Sequence, residues 1–388
     1  MYTLKLYDQP LLDFDMKRYG DSFKVSTCRL YENTLPYLPL DWNLAKINDP
    51  KKVEHSDQLA ALLKQWLKHR AIPSNRAYVK SFLAKLGLSN QDIPGIIDIC
   101  LGLSLNDCYW VVPKNNSSTF AQRNLYDNRF NRTLSRLAFT GVGSKVNSEF
   151  ASTPELTTNG MLAKCWRRIE GKVYLYKEGS IGFTNSGNEP YAEYYAAQVA
   201  EAMGVKHVDY VPTKWDGHFC SRCELFTSKE FGFISAGRLV HKGGIDAVEK
   251  YCSDLGPEFN EAFADMLAFD AIVLNIDRHF GNFGFIVDNL KNKIIAPAPL
   301  FDHGMALLYS AMKDDFDDIE AYEQLQLPRT YDNFINRARQ SMGTTQRKKV
   351  RALFDFRFKK HPRYNWPQWR LEKLEDMIHR RAKMLLKL

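Results

Sequence analysis

The stretch LNIDRHFGNFGFIV, Leu274 to Val287, followed by APAPLFDHG at Ala296 to Gly304, organises the reading of this 388-residue chain. Upstream of it, Phe263, Leu267, Ala271 and Leu274 share one stripe of an expected helix. That helix delivers the chain to Asp277. Asn282 comes five residues later, then a strand-like Phe283 to Val287, a turn at Asp288-Asn289, and a second short strand before Asp302. Taken singly, Asp277 or Asn282 reads as a helix cap or a hairpin turn. Two Asp, one Asn and a Gly, each at the end of an apolar segment, read together as a built site.

Phosphoryl transfer needs a carboxylate to orient the acceptor hydroxyl and metal ions held against the phosphates. An Asp and an Asn five apart, with a later Asp near a Gly, is the arrangement protein kinases use. Asp277 would orient the hydroxyl and accept its proton. Asn282 and Asp302 would hold Mg2+, a hard cation that prefers oxygen ligands.

The string N-x-D-R-H-x-x-N-F-G-F, Asn275 to Phe285, with A-P-L-F-D-x-G, Ala298 to Gly304, resembles the catalytic core of HipA-like serine/threonine kinases. In that family the histidine follows the catalytic Asp, as His279 does here. The resemblance is specific over Asp265 to Leu307 and weaker over about 150 to 340. It implies ATP and Mg2+ as cofactors, a nucleotide site that includes His279, and a protein substrate. It also implies a toxin or regulatory role, a small antitoxin partner, and DNA reached only indirectly through that partner.

The upstream half carries an independent signal. Lys177 shares strand parity with Val173 and Leu175, so it projects beside apolar side chains and needs a charged partner. Glu193 is the candidate, because Ala196, Ala197 and Ala200 place it on the small apolar face of a helix stopped by Gly204. Lys177 alone also reads as a strand-end lysine snorkelling to water. Thr157 to Gly160 followed by Lys164 matches the position of the family's phosphate loop, without G-x-G-x-x-G. An ordinary polar connector is the competing reading. Ser152, Thr153, Thr157 and Thr158 are the autophosphorylation candidates that the resemblance implies. Glu224-Leu225-Phe226 stands where the family's hinge strand ends, with its backbone toward the adenine.

The expected architecture is α+β. A mostly helical leader over 1–150 precedes a two-lobed kinase-like fold, with a small β-rich lobe at 151–228 and a mainly helical lobe at 229–388. In the leader, Leu59, Leu62, Leu63, Trp66 and Leu67 recur at helical spacing, and a second helix runs through Val79, Phe82, Leu83 and Leu86 after a cap at Pro73-Ser74. A hairpin is expected about Glu170-Gly171, and a helix over about 189–203.

Composition narrows the function classes. With 45% hydrophobic and 13% aromatic residues the chain is a folded protein, not a disordered one. It has no apolar run of membrane-spanning length and no secretory pattern at its start, and seven cysteines are no disulfide framework. A cytoplasmic location is expected. Cys220 and Cys223 form C-x-x-C without a second pair, so they read as ordinary cysteines. Part of the +8 charge lies in Arg347 to Lys387, where fourteen Lys and Arg face four acidic residues among Phe and Trp. That segment reads as a packed helical end with a basic face, or as a nucleic-acid contact. Two other functions share the core motif. A phosphoinositide-type lipid kinase would need a basic loop after Asp302, where this chain has KDDFDDIE. A nucleotide-binding scaffold without turnover is the other.

Overall fold

The structure, a computed structural model, describes residues 1–20, 22–44, 57–89, 91–144, 153–182 and 184–387. Ser152 and the expected boundary at 150 lie outside the described residues. The chain divides into two compact units. The first holds Met1–Tyr176, Thr227–Phe233 and Val287–Ile294; the second holds Lys177–Phe226, Ile234–Ile286 and Ile295–Leu388.

The first unit opens on strands β1 (Tyr2–Leu6), β2 (Gln9–Tyr19) and β3 (Ser22–Leu30). With β4 (Tyr109–Pro113) they form an antiparallel sheet in the order β3-β2-β1-β4. This corrects the expectation of a mainly helical leader. Leu4 and Leu6, Leu12, Phe14 and Met16, and Phe23 and Val25 alternate with period two, and all are buried. The register sets Leu4 opposite Leu12 and Val111, and Tyr2 opposite Phe14, whose rings stack at 5.6 Å. A two-residue turn at Tyr7-Asp8 sets that register, with Tyr7 in the left-handed region at φ 51°.

The expected helices follow as α1 (Asp57–His69), α2 (Val79–Lys85), α3 (Ile93–Cys100) and α4 (Arg132–Thr140). Helix α2 starts at Val79, five residues past the expected Ser74 cap. Asp92 caps α3 by accepting from Gly95 N at 3.0 Å, and Asn131 caps α4 by accepting from Leu134 N at 3.1 Å. Phe82, Leu83, Ile96, Leu134, Leu137 and Leu156 share one apolar cluster. Strands β5 (Lys164–Ile169) and β6 (Lys172–Glu178) meet at Glu170-Gly171, whose φ values of 50° and 83° suit a type I′ turn. Lys177 and Glu178, the end of β6, belong to the second unit.

In the second unit α5 (Glu189–Ala202) precedes the hairpin of β7 (Val211–Trp215) and β8 (His218–Glu224). Strand β9 (Phe231–Ser235) comes next, then α6 (Gly244–Leu255) and α7 (Pro257–Val273). Strands β10 (Gly284–Asp288) and β11 (Lys293–Pro297) are neighbours in a three-stranded sheet ordered β11-β10-β9, and Phe231–Phe233, Val287–Asp288 and Lys293–Ile294 of these strands belong to the first unit. Helices α8 (Phe334–Ser341), α9 (Thr344–Arg351) and α10 (Gln368–Leu386) complete the unit.

Helix α7 is buried all round from Phe263 to Val273 and touches α6, α8, α9 and α10. The basic C-terminal segment is packed. Trp366 stacks on Tyr195 at 5.4 Å, and Arg370 caps the carbonyls of Leu308 and Ala311 at 2.8 and 3.2 Å. No helix among the described residues is long and apolar enough to cross a membrane.

Phe14 is fully buried in the N-terminal sheet. Phe14→Ala is expected to lower the unfolding free energy by about 3–5 kcal/mol, read as a lower urea midpoint at unchanged m-value.

Candidate active site

Helix α7 contains Asp270 on a face with no water, and a buried carboxylate must find a cation. The helix ends because Leu274 adopts the left-handed conformation at φ 53° and its N–H bonds back to Asp270 O. The turn returns the chain so that Arg278 faces Asp270. Arg278 Nε and Nη2 donate to the two carboxylate oxygens at 2.9 and 3.0 Å, and the guanidinium side chain is 2% exposed. Burial pushes the Asp270 carboxyl up and Arg278 counters it. Burial likewise works against the Arg278 cation, yet Asp270 holds its pKa above the ordinary arginine value.

The same guanidinium reaches both candidate metal ligands' loops. Nη1 donates to Asn282 O at 2.9 Å and to Phe301 O, the residue before Asp302, at 2.7 Å. Nη2 also contacts His303 Nδ1 at 3.2 Å, which leaves the ring proton on Nε2. His303 is buried against Phe269, and burial together with Arg278 depresses its pKa well below the ordinary histidine value, so the ring is neutral.

Between Asp277 and Asn282 the loop is tied to itself. His279 N donates to Asp277 O at 2.7 Å, Asn282 N to His279 O at 2.9 Å, and Asn282 Nδ2 to Asp277 O at 3.1 Å. Gly281 N donates to His279 Nδ1 at 3.0 Å, and a Cβ on Gly281 would fall 2.7 Å from the ring. Burial lowers the His279 pKa, so its ring is neutral as well. The Asp277 carboxylate projects outward, and Arg329 Nη1 meets its Oδ1 at 2.5 Å.

Lys177 meets two carboxylates, as the strand parity required. Its Nζ pairs with Glu193 Oε1 and lies 2.6 Å from Asp302 Oδ1. Glu193 is fully buried and accepts from Ser221 Oγ through its other oxygen. Burial alone would lower the Lys177 pKa. Asp302 and Glu193 reverse that and hold it above the ordinary lysine value, so the ammonium is charged. Asp302 sits in the left-handed region at φ 59°, its N–H donating to the Tyr210 hydroxyl at 2.9 Å. A Cβ at Gly304 would lie 3.6 Å from Lys177 Nζ and 3.2 Å from Glu189 Cβ, which explains a glycine there. Asn282 and Asp302 offer a carboxamide and a carboxylate, the oxygen donors a hard cation takes. Magnesium also keeps waters and phosphate oxygens, so two protein ligands suit it. This donor set fits Mg2+.

The second unit thus unites Lys177, Glu193, Asp277, His279, Asn282 and Asp302. Phe226 lies in it too, its ring 5.7 Å from Phe301, while Glu224 is exposed at the end of β8. Gly160 and Lys164 belong to the first unit. Gly160 has φ 95°, and Lys164 Nζ donates to Asn159 O at 3.0 Å. Arg76, wholly buried, holds this loop by donating to the carbonyls of Glu155, Thr158 and Lys164. Thr153 and Thr157 are buried, bonded to Glu155 and to Leu103 O, and Thr158 Oγ1 accepts from Trp166 Nε1 at 2.8 Å. Their hydroxyls are therefore poorly presented as phosphate acceptors. Cys220 and Cys223 are not joined in a disulfide, and no group of three or more metal-ligating His, Cys, Asp or Glu occurs among the described residues.

Sequence reasoning missed Asp270, Tyr210, Ser221, His303, Arg76 and Arg329, and assigned Arg278 no role. An Asp in the apolar run FADMLAFDAIV was the one available signal, since only a partnered carboxylate survives there.

No protein-family model matches the chain, and no curated protein matches it. Among solved structures, HipA of Shewanella oneidensis MR-1, in a complex with HipB and operator DNA, is similar at 12% identity and a TM-score of 0.51. That match covers 100% of this chain and 98% of the other. The Helicobacter pylori proinflammatory kinase CtkA aligns at 16% identity and a TM-score of 0.44, over 58% of this chain and 91% of its own. The first of these likenesses shows that the chain has a HipA-like kinase fold.

Arg278→Ala leaves the buried Asp270 without its cation, with Asn275 Nδ2 at 3.3 Å as its remaining side-chain donor. It is expected to cost about 3–5 kcal/mol of stability, measured by urea denaturation, and Arg278→Lys is expected to recover only part because an ammonium cannot form the fork.

Proposed function

We propose that the chain is an ATP- and Mg2+-dependent serine/threonine protein kinase of the HipA-like type. The observation that carries this reading is Lys177, a buried ammonium paired with Glu193 on α5 and with Asp302 on the loop after β11. A structural ion pair needs one carboxylate. A second, contributed by a loop residue 37% exposed in its side chain, gives the lysine a position from which to serve an anionic ligand.

In this reading Lys177 contacts the nucleotide's phosphates and Glu193 keeps the ammonium in place. Phe226 and the backbone from Glu224 receive the base, beside the Phe301 ring. Asn282 and Asp302 hold Mg2+, which supplies charge neutralisation to the phosphates when bound. Asp277 orients the acceptor hydroxyl and takes its proton. The Arg278 bonds to Asn282 O and Phe301 O keep the metal-holding loops in register while this happens.

Asp314, Asp317 and Asp318 are exposed after the metal-binding loop, which disfavours an anionic lipid headgroup and favours a protein acceptor. The Shewanella HipA structure contains HipB and operator DNA. A small antitoxin partner, with DNA reached through it, and a cytoplasmic location complete the proposal.

Transfer of labelled γ-phosphate from ATP with Mg2+ tests it. The wild-type chain is expected to label itself or a generic protein acceptor, and Asp277→Asn to lose about 10²–10⁴-fold of that rate. Undiminished labelling by Asp277→Asn would place the catalytic centre elsewhere. Lys177→Ala is expected to fold and to lose most nucleotide use; full activity in that variant would remove the ion pair from the site.

A further inference from the structure

The candidate catalytic loop, Asn275 to Asn282, contains one permanently charged cation, Arg278, and that cation cannot reach a phosphate. A guanidinium has five N–H groups. Nε and one Nη2 proton are used on Asp270, two Nη1 protons on the carbonyls of Asn282 and Phe301, and the remaining Nη2 proton on His303 Nδ1. With 2% of its side chain exposed and all five donors engaged, Arg278 is structural. Lys177 is engaged by two carboxylates on the nucleotide side. Phosphoryl transfer spreads negative charge over the equatorial oxygens of the moving group, and a cation at that place is the recurrent way to stabilise it.

Arg329 stands where that cation is missing. Its Nη1 lies 2.5 Å from Asp277 Oδ1, so it already sits at the carboxylate that would orient the acceptor. Its side chain is 58% exposed, and Asp277 is its one protein partner among the described residues. The backbone that follows it is fixed. Thr330 Oγ1 donates to Arg278 O at 3.2 Å, directly onto the catalytic loop. Three residues past Thr330, the Asn333 side chain caps α8 by accepting from Asn336 N at 2.9 Å, and the Tyr331 ring packs edge-on against Phe334 at 5.9 Å. An exposed guanidinium beside a pinned segment combines reach with a fixed origin.

We propose that Arg329 is a further catalytic residue, which rests on the kinase reading above: it holds Asp277 before nucleotide binds and grips the transferred phosphoryl group during reaction. In that step the bond from γ-phosphorus to the β–γ bridging oxygen breaks, its electron pair leaving with ADP. A bond forms from the acceptor hydroxyl oxygen to phosphorus, and the hydroxyl proton passes to Asp277. Arg329 gains or loses nothing covalently. Its planar fork turns from the carboxylate to two equatorial oxygens of the phosphoryl group, which present a matching bidentate edge.

The test compares wild type, Arg329→Ala and Arg329→Lys. Calorimetry with ADP and Mg2+, alone and with aluminium fluoride as a mimic of the moving phosphoryl group, separates ground-state from transition-state contacts. Arg329→Ala is expected to bind ADP within about threefold of wild type and to lose about 30-fold or more of the aluminium fluoride complex, since the lost contact exists only with the mimic. Its labelling rate is expected to fall about 10³-fold, with Arg329→Lys between the two and added guanidinium ion restoring part of the loss. Equal affinity of Arg329→Ala for the mimic, or a labelling rate equal to or above wild type, would overturn the assignment; a rise would make the Asp277 contact a brake only. A wild-type chain that neither binds ADP nor transfers phosphate would remove the kinase reading and this assignment with it. Wild-type transfer with an unaffected Arg329→Ala would remove this assignment alone.

Discussion

The Arg278–Asp270 pair is the constraint on which the candidate active site depends. Two buried charges are costly to desolvate, and their attraction compensates only when the remaining donors are satisfied. Here every remaining donor is satisfied by a loop that must be positioned: Asn282 through its carbonyl, and Asp302 through the Phe301 carbonyl before it and the His303 ring after it. The cost of burying the arginine is therefore offset by bonds that set the spacing of the two candidate metal ligands. An apolar pair of similar volume would fill the space and leave both loops without that tie.

A second buried cation, Lys177, extends the same logic to the other face of the Asp302 loop. Glu193 is inaccessible and held by Ser221, so the lysine has one fixed anchor. Asp302 is the partner that can exchange, because it is part exposed and its loop is held by Tyr210 and Arg278. Asp302 thus contacts a fixed ammonium, and its loop shares the Arg278 guanidinium with the loop of Asn282. Low-dielectric surroundings strengthen each of these interactions.

The residues of this region that were legible in the sequence were those whose chemistry is local. Asp277, Asn282 and Asp302 stand at ends of apolar segments, the parity of β6 exposed Lys177 as an inward lysine, and the alanine face of α5 marked Glu193. The Glu170-Gly171 hairpin was visible because only certain residues tolerate positive φ. Arg278 and Asp270 were less visible, because their partnership is made by a chain reversal at Leu274 that no turn residue announces. Arg329 was invisible: 52 residues separate it from Asp277, and nothing local records that Thr330 fastens its segment to the catalytic loop. The N-terminal sheet was misread although its period-two pattern is plain in Leu4, Leu6, Leu12, Phe14 and Met16.

The central claim is that one cluster in the second unit binds the phosphates and metal of a nucleotide. A crystal structure of the full chain with a non-hydrolysable ATP analogue and Mg2+ addresses it most directly. The expected result is a metal ion ligated by Asn282 Oδ1 and an Asp302 carboxylate oxygen, with Lys177 Nζ on the phosphates and still paired with Glu193. A nucleotide bound elsewhere, or a metal ligated by neither Asn282 nor Asp302, would contradict it.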